Sequence, residues 1–406
     1  MLPSSVNSIF SITIGLKTIK LNLIVLVLII IFIYLYNINN LTKLRFNIYE
    51  ISYFIFLVYV FVSGITVFLG SFNYILFYDF LYNFLILVLP FLLYFIFSKY
   101  NKSINEIKFY IILLGDLIAI QVFLFSFFYK IFGQMLGWSF NNLNLYHGVL
   151  RTRTTVGSST VSGVFLFIIF GLVLIEIECG NNSFFNKVSS FLLGASIFLT
   201  FTRSAISAFL FFVFFYLLIK LKSNPKQFYK FLVIIIIIIT IIAIVYPEIF
   251  INNYERFFTK KSQSSNNKRL ELFYNTLDKS KDYFLFGTGI GLGYYRISDI
   301  NNNITYKLTN PHNQHAALLL ETGIVGYLLF LIFVFTIFIT YRKLIINNKR
   351  YKLLFLLIFI LVFWVGQFET FITSDLRTSF FIWLPILILK GSVMFEKRKR
   401  RVNFRS

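Results

Sequence analysis

Cysteine is almost absent from this chain of 406 residues, and the single Cys179 excludes an intramolecular disulfide and any multi-cysteine metal site. Charge is scarce as well, since only 13% of residues are Asp, Glu, Lys or Arg. Acids are the scarcer sign, 16 against 38 basic residues, and histidine occurs three times. With 58% hydrophobic residues and 55 Phe, no water-soluble domain could bury so much apolar surface. The chain therefore reads as an all-α polytopic membrane protein. Continuous rather than alternating apolar runs favour helices over a barrel, because lipid-facing backbone must satisfy its own hydrogen bonds. The polar opening MLPSSVNS lacks a basic start and a small-residue cleavage site, so no cleavable signal is expected. There is no HExxH or cysteine pattern, and neither a protein-ligated metal nor a cofactor is expected.

A helical span needs about 20 apolar residues. Eleven such segments fall near residues 21 to 37, 50 to 70, 78 to 98, 108 to 133, 158 to 178, 188 to 202, 204 to 219, 228 to 247, 313 to 341, 353 to 371 and 379 to 394. Basic residues cluster in alternate connectors, at Lys43 and Arg45, Lys99 to Lys108, Lys220 to Lys230, Arg342 to Lys352 and the tail Lys397 to Arg405. The positive-inside rule makes these cytoplasmic, and the net charge of +22 is a matter of topology rather than nucleic-acid binding. Eleven spans leave Lys17 and Lys20 outside, and a twelfth short segment before residue 17 is the alternative. The expected organisation is eight helices over 1–247, a large extracytoplasmic loop over 248–312 with an amphipathic helix, three helices over 313–394 and a basic cytoplasmic tail over 395–406.

Within that loop, SQSSNNK (262–268) and the Asn run 301–303 look flexible. In KRLELFYNTLDKSKDYF, by contrast, Leu270, Phe273, Tyr274 and Leu277 recur at helical spacing, as in a helix lying on the outer membrane surface or capping the bundle. Cys179, at a helix end, reads as a packing residue.

The charge rule assigns one group of polar residues to the outer side: Arg151 and Arg153 in RTRTTVGSSTVSG, Arg203 in FTRSA, Arg269, His312 and His315, and Glu369, Asp375 and Arg377. Arginine suits a pyrophosphate, because its fixed fork of donors stays charged and binds oxygens bidentately. Arg203, between two apolar spans, must bind something or snorkel to the headgroups. For the other arginines the competing reading is ordinary loop charge. His312 follows Pro311, which favours a helix start whose first-turn donors attract anions; a neutral imidazole there could take a proton from an attacking hydroxyl. His315, one turn on, would share its face if the helix has begun. Glu369 and Asp375 are the other candidate bases. Glu321 and Asp116 fall inside spans, where one interhelical hydrogen bond would satisfy either, and His147 has no partner in sequence. GTGIGLG (287–293) lacks the strand and ribose acid of a dinucleotide loop and reads as a tight turn.

The FTRSA turn, the Arg269 segment running into FGTGIGLGYY, and PHNQHAALLLETGIVG, in that order over roughly residues 190 to 345, resemble the O-antigen ligase and O-antigen polymerase family of bacterial cell-surface glycan enzymes. The resemblance implies a metal-independent, inverting glycosyltransferase of the bacterial cytoplasmic (inner) membrane, with its active site on the extracytoplasmic face. Its donor would be an undecaprenyl-pyrophosphate-linked glycan and its acceptor a glycan or a lipid-linked glycan. Arg203 and Arg269 would hold the donor pyrophosphate, with His312 at the reaction centre; Arg151, Arg153, His315, Glu369 and Asp375 would bind substrate. Polymerase and ligase share these segments, so the resemblance does not separate them. A lipid-linked glycan flippase is the rival reading. It would need charges lining a passage through several helices, whereas here the polar residues gather at one side. A structural partner in an envelope complex is the third.

Overall fold

The computed structural model describes residues 46–71, 74–99, 104–127, 154–223, 260–291, 311–373 and 376–403, with the backbones of three short hairpins and positions 225, 229, 233 and 240. Ten α-helices lie among the described residues: α1 (Ile48–Ser71), α2 (Tyr74–Lys99), α3 (Ile104–Phe127), α4 (Ser159–Glu178), α5 (Phe184–Leu199), α6 (Arg203–Ser223), α7 (Lys260–Asp282), α8 (Gln314–Asn347), α9 (Lys349–Phe359) and α10 (Leu376–Asn403). The hairpins pair Ser11–Ile14 with Lys17–Lys20, Leu143–Tyr146 with Val149–Thr152, and Ile297–Ser298 with Thr305–Tyr306.

Seven described helical segments are long and apolar enough to cross a membrane, and Phe184–Leu199 and Thr378–Val393 are shorter apolar helices. These correspond to nine of the eleven expected segments. The other two, near 21 to 37 and 228 to 247, lie outside the described stretches. The alternative twelfth segment, before residue 17, lies mostly outside the described residues; its described part, Ser11–Ile14, is a strand.

Two local expectations change, and one helix runs on past its apolar segment. SQSSNNK is the first half of α7 and not a flexible link; no Pro or Gly interrupts 260–282, so nothing in the backbone stops the helix. The basic tail continues α10 to Asn403, through Glu, Lys and Arg residues that favour helix. Cys179, expected to pack, is the C-cap of α4 and is exposed, at the turn into Gly180 (φ 91°).

The chain divides into two compact units, one of residues 1–105, 269–355 and 366–406, the other of 106–268 and 356–365. In the first, α8 packs on α1 and α10 on α2. Their core is aromatic: Trp383 meets Tyr53 edge-on with centroids 4.6 Å apart, and Phe91 and Phe333 at 5.2 and 5.4 Å. A buried polar knot ties four helices together. Lys390 bonds the Glu50 carboxylate and Ser98 Oγ (3.0 Å), Tyr94 donates to Glu50 (2.8 Å), and the Tyr49 hydroxyl meets those of Tyr94 (2.6 Å) and Tyr341 (3.1 Å). Glu50 also accepts the Asn47 N–H at 2.7 Å, the reach-back of a helix-capping acid.

The second unit centres on α4, which is buried along most of its length. Glycines permit its close approaches: a side chain at Gly163 would meet Thr200, Thr202 and Ala205, and one at Gly171 would meet Leu357. Asp116 accepts from Ser189 through Oδ2 at 2.6 Å, an interhelical hydrogen bond as expected, but its Oδ1 is buried without a hydrogen bond among the described residues. Glu176 pairs with Lys108 (3.0 Å), and Glu178 with Lys220 and the Tyr216 hydroxyl (both 2.6 Å).

Candidate functional site

Helix α8 is not one rod. Gly323 has φ 64° and ψ −176°, a conformation open in practice only to glycine, and it separates a short arm, 314–322, from a long apolar helix that begins at Ile324. The break folds the arm sharply. His315 and Tyr327 are twelve residues apart, about 18 Å along a straight helix, yet His315 Nδ1 lies 3.2 Å from the Tyr327 hydroxyl. Expected span nine is therefore an arm plus a span, with His315 on the arm and His312 just before it.

A broken helix in an apolar setting leaves backbone groups that must find partners. The segment 284–289 supplies them. Thr288 N–H donates to Leu320 O and Gly289 N–H to Glu321 O, both at 2.9 Å; on the far side of the break, Ile324 N–H donates to Phe284 O (2.8 Å) and Val325 N–H to Leu285 O (3.4 Å). The fit is backbone on backbone, since a Cβ at Gly287 would lie 2.5 Å from the Glu321 carbonyl and one at Gly323 would strike Leu285 O. The described part of GTGIGLG turns through glycines at positive φ, as expected, and also clamps the break. Glu321, almost wholly buried, accepts Gly291 N–H through Oε1 at 3.1 Å, and Tyr59 donates to Thr322 O at 2.8 Å.

The arm starts later than Pro311 suggests. Asn313 is its N-cap, and its Oδ1 accepts from His315 N and Ala316 N, both at 3.0 Å, so first-turn donors expected to attract an anion are already engaged. His312 lies one residue outside the helix, at φ 51°. Such backbone costs of the order of 1–3 kcal/mol in a non-glycine residue and persists where its surroundings over-determine it. Consequently the two histidines do not share a helix face: His312 faces Glu369, while His315 faces Tyr327 and Gly366.

The segment 366–373 closes the site. Asn313 Nδ2 donates to Gln367 Oε1 (3.0 Å), Ile372 N–H to Gln314 Oε1 (2.7 Å), and Gln314 Nε2 to Thr373 Oγ1 (3.4 Å). This lacing aims Glu369 at two groups. Its Oε2 is 3.6 Å from His312 Nδ1 and its Oε1 is 3.7 Å from Arg269 Nη2; Arg269 Nη1 also donates to the Phe368 carbonyl at 3.3 Å. These are ion-pair distances, longer than direct hydrogen bonds. The side chains of Arg269 and His312 remain more than a third exposed, so a ligand can reach both. A guanidinium, an imidazole and a shared carboxylate can together bind an anion and move a proton.

Of the residues singled out from sequence, the structure brings together Arg269, His312 and Glu369, with His315 on the adjoining arm. Arg203 belongs to the other unit, where it opens α6 after a turn through Phe201 (φ 49°) and donates to Asn266 Oδ1 at 2.5 Å. Arg151 stands opposite Asn144 in a hairpin, and Arg153 and Asp375 lie outside the described residues. The sequence reading missed Asn313, Gln314, Gln367 and Tyr327. Their signal was available: a glycine after Glu-Thr in the middle of an apolar run, and amides flanking the histidine.

These features define a multi-pass helical membrane protein with a polar site at the head of an interrupted helix. Residues 188–331 match the family model described as O-Antigen ligase, in agreement with the resemblance of the chain's motifs. Arg203, Arg269, His312 and His315 lie inside the matched stretch; Arg151, Arg153, Glu369 and Asp375 lie outside it. No curated protein matches the chain.

Proposed function

We propose that this protein is a glycosyltransferase of the bacterial cytoplasmic membrane that transfers or polymerises undecaprenyl-pyrophosphate-linked oligosaccharide units on the outer face, as a polysaccharide polymerase or an O-antigen ligase. One observation carries the reading: Glu369 stands between the Arg269 guanidinium and the His312 imidazole, and both of those side chains are more than a third exposed to a ligand. In this scheme Arg269 takes the donor pyrophosphate, whose charge rises as the anomeric C–O bond breaks. Arg203, by the family resemblance, supplies a second guanidinium. With His312 Nδ1 turned to Glu369, its Nε2 accepts the proton of the acceptor hydroxyl while that oxygen attacks the anomeric carbon from the opposite side. The Glu369 carboxylate, 3.6 Å away, faces the imidazolium so formed with the opposite charge. The products are the extended glycan and lipid pyrophosphate, with the anomeric configuration inverted. Arginines meet the leaving-group charge, so the scheme calls on no metal. Arg151, Arg153, His315 and Asp375 are proposed to bind the glycan.

The test is reconstitution of the purified protein with a defined lipid-linked repeat unit, with and without a lipid A core acceptor, followed by gel or mass analysis. Longer glycan, or glycan on the core, together with released lipid pyrophosphate supports the proposal. Movement of labelled donor across the bilayer without any change in glycan length makes the protein a flippase.

A further inference from the structure

Helix α7 and the clamp after it expose large apolar side chains that nothing among the described residues covers. On α7, Thr276 and Ser280 are buried and Leu272, Phe273 and Leu277 half-buried, while Leu270 and Tyr274 are more than half exposed, beside the exposed Glu271 and Asp278. Four consecutive large residues follow, Tyr283, Phe284, Leu285 and Phe286, and all four are exposed. Their backbone is not free to tuck them away. The carbonyls of Phe284 and Leu285 are held inward by Ile324 N–H and Val325 N–H, so these side chains are presented outward in a fixed row.

The same hydrogen bonds set the depth of that row. Ile324 opens the long apolar part of α8, and from there to Tyr341, just before Arg342 and Lys343, the helix runs about 27 Å. That length matches a hydrocarbon core of roughly 30 Å with basic residues at its cytoplasmic edge. Ile324, and with it Phe284, therefore lies where the hydrocarbon of the far leaflet meets the headgroups. Aromatic side chains are favoured at that level. Charge contributes no net attraction: residues 269–286 contain Arg269, Lys279 and Lys281 against Glu271, Asp278 and Asp282, and Lys281 pairs with Asp278 at 2.8 Å.

We infer that residues 283–286, with Leu270 and Tyr274, form an anchor inserted in the outer leaflet of the bilayer. Its partner is the upper part of phospholipid acyl chains, taken up by apolar contact and not by headgroup charge. The anchor fixes the depth of the clamp, and through the clamp the depth of the arm that carries His312. This inference does not depend on the proposed reaction and would hold for a transporter equally.

The experiment places a Trp in the anchor of the full chain, as Phe286→Trp and, independently, Tyr274→Trp, in lipid nanodiscs. Fluorescence added over the parent is read with phospholipids brominated near the top or near the end of the acyl chain, and with acrylamide in the water. Bromines near the top should quench the added Trp at Phe286 at least about twofold more than bromines near the chain end, equally in zwitterionic and in anionic bilayers. Tyr274→Trp, an aromatic exchange at an exposed site, should follow the same order and guards against misfolding of the first variant. Quenching of both by acrylamide alone would overturn the inference, as a surface facing water or another protein. Lipid quenching that appears only in anionic bilayers would also overturn it, because the attachment would then be electrostatic.

Discussion

Gly323→Ala is the substitution whose outcome follows most directly from backbone geometry. At φ 64° and ψ −176° an L residue is strained by about 1–3 kcal/mol before any contact is considered. The added Cβ would also strike the Leu285 carbonyl and come within 2.6 Å of Gly287 N, which are backbone atoms that cannot swing aside. Relief requires the clamp to part. Four backbone hydrogen bonds are then at risk, each worth about 1 kcal/mol net. Part of that loss is recovered by rearrangement, and the expected destabilisation is roughly 3–5 kcal/mol. If α8 straightened instead, His315 and Tyr327 would separate toward about 18 Å and the arm would leave Glu369. The assay is thermal unfolding in detergent beside glycan-transfer activity, with Gly180→Ala as control, since that glycine also has positive φ (91°) but meets nothing within 4 Å. The control should lose about 1 kcal/mol or so of stability and keep its activity. A Gly323→Ala protein with the parent's melting temperature and full activity would refute the interrupted-helix account.

Three further outcomes follow from the same geometry. Tyr327→Phe removes one hydrogen bond to His315, worth about 0.5–1.5 kcal/mol, and transfer rates should fall between about twofold and tenfold. Arg269→Lys keeps the charge but loses the planar fork, so the donor KM should rise more than kcat falls, as steady-state kinetics with varied donor would report. Lys390→Met leaves Glu50 buried without its cation and should cost about 3–5 kcal/mol, whereas Lys390→Met with Glu50→Gln should recover much of that in thermal unfolding.

Long apolar runs such as 158 to 178 were legible because a span must be apolar over its whole length, and α4 matches that segment closely. The pairing of Arg269 with Glu369 was legible only as shared topology. Residues from two distant connectors meet through the amide lacing of Asn313, Gln314 and Gln367, and no periodicity announces such contacts. Gly323 illustrates the limit most clearly. Composition treats LLLETGIVGYLLF as one apolar stretch, yet the break exists because a separate glycine-rich segment supplies backbone partners from outside the helix. The polar knot around Glu50 and Lys390 was hidden for a similar reason. Each member looks like an ordinary polar residue at the edge of an apolar run until four helices converge.

The most direct measurement of the central claim is the rate of lipid-linked donor consumption by reconstituted protein carrying His312→Gln or Glu369→Gln. Each variant should insert and melt like the parent, because His312 and Glu369 are partly exposed at the head of the arm and the amide lacing does not use their side chains. His312→Gln should lower the rate by about 10²-fold to 10⁴-fold, the range typical of a lost general base, and Glu369→Gln by a smaller but clear factor. Full donor consumption by both variants would contradict the assignment of the Arg269, Glu369 and His312 cluster as the reaction centre.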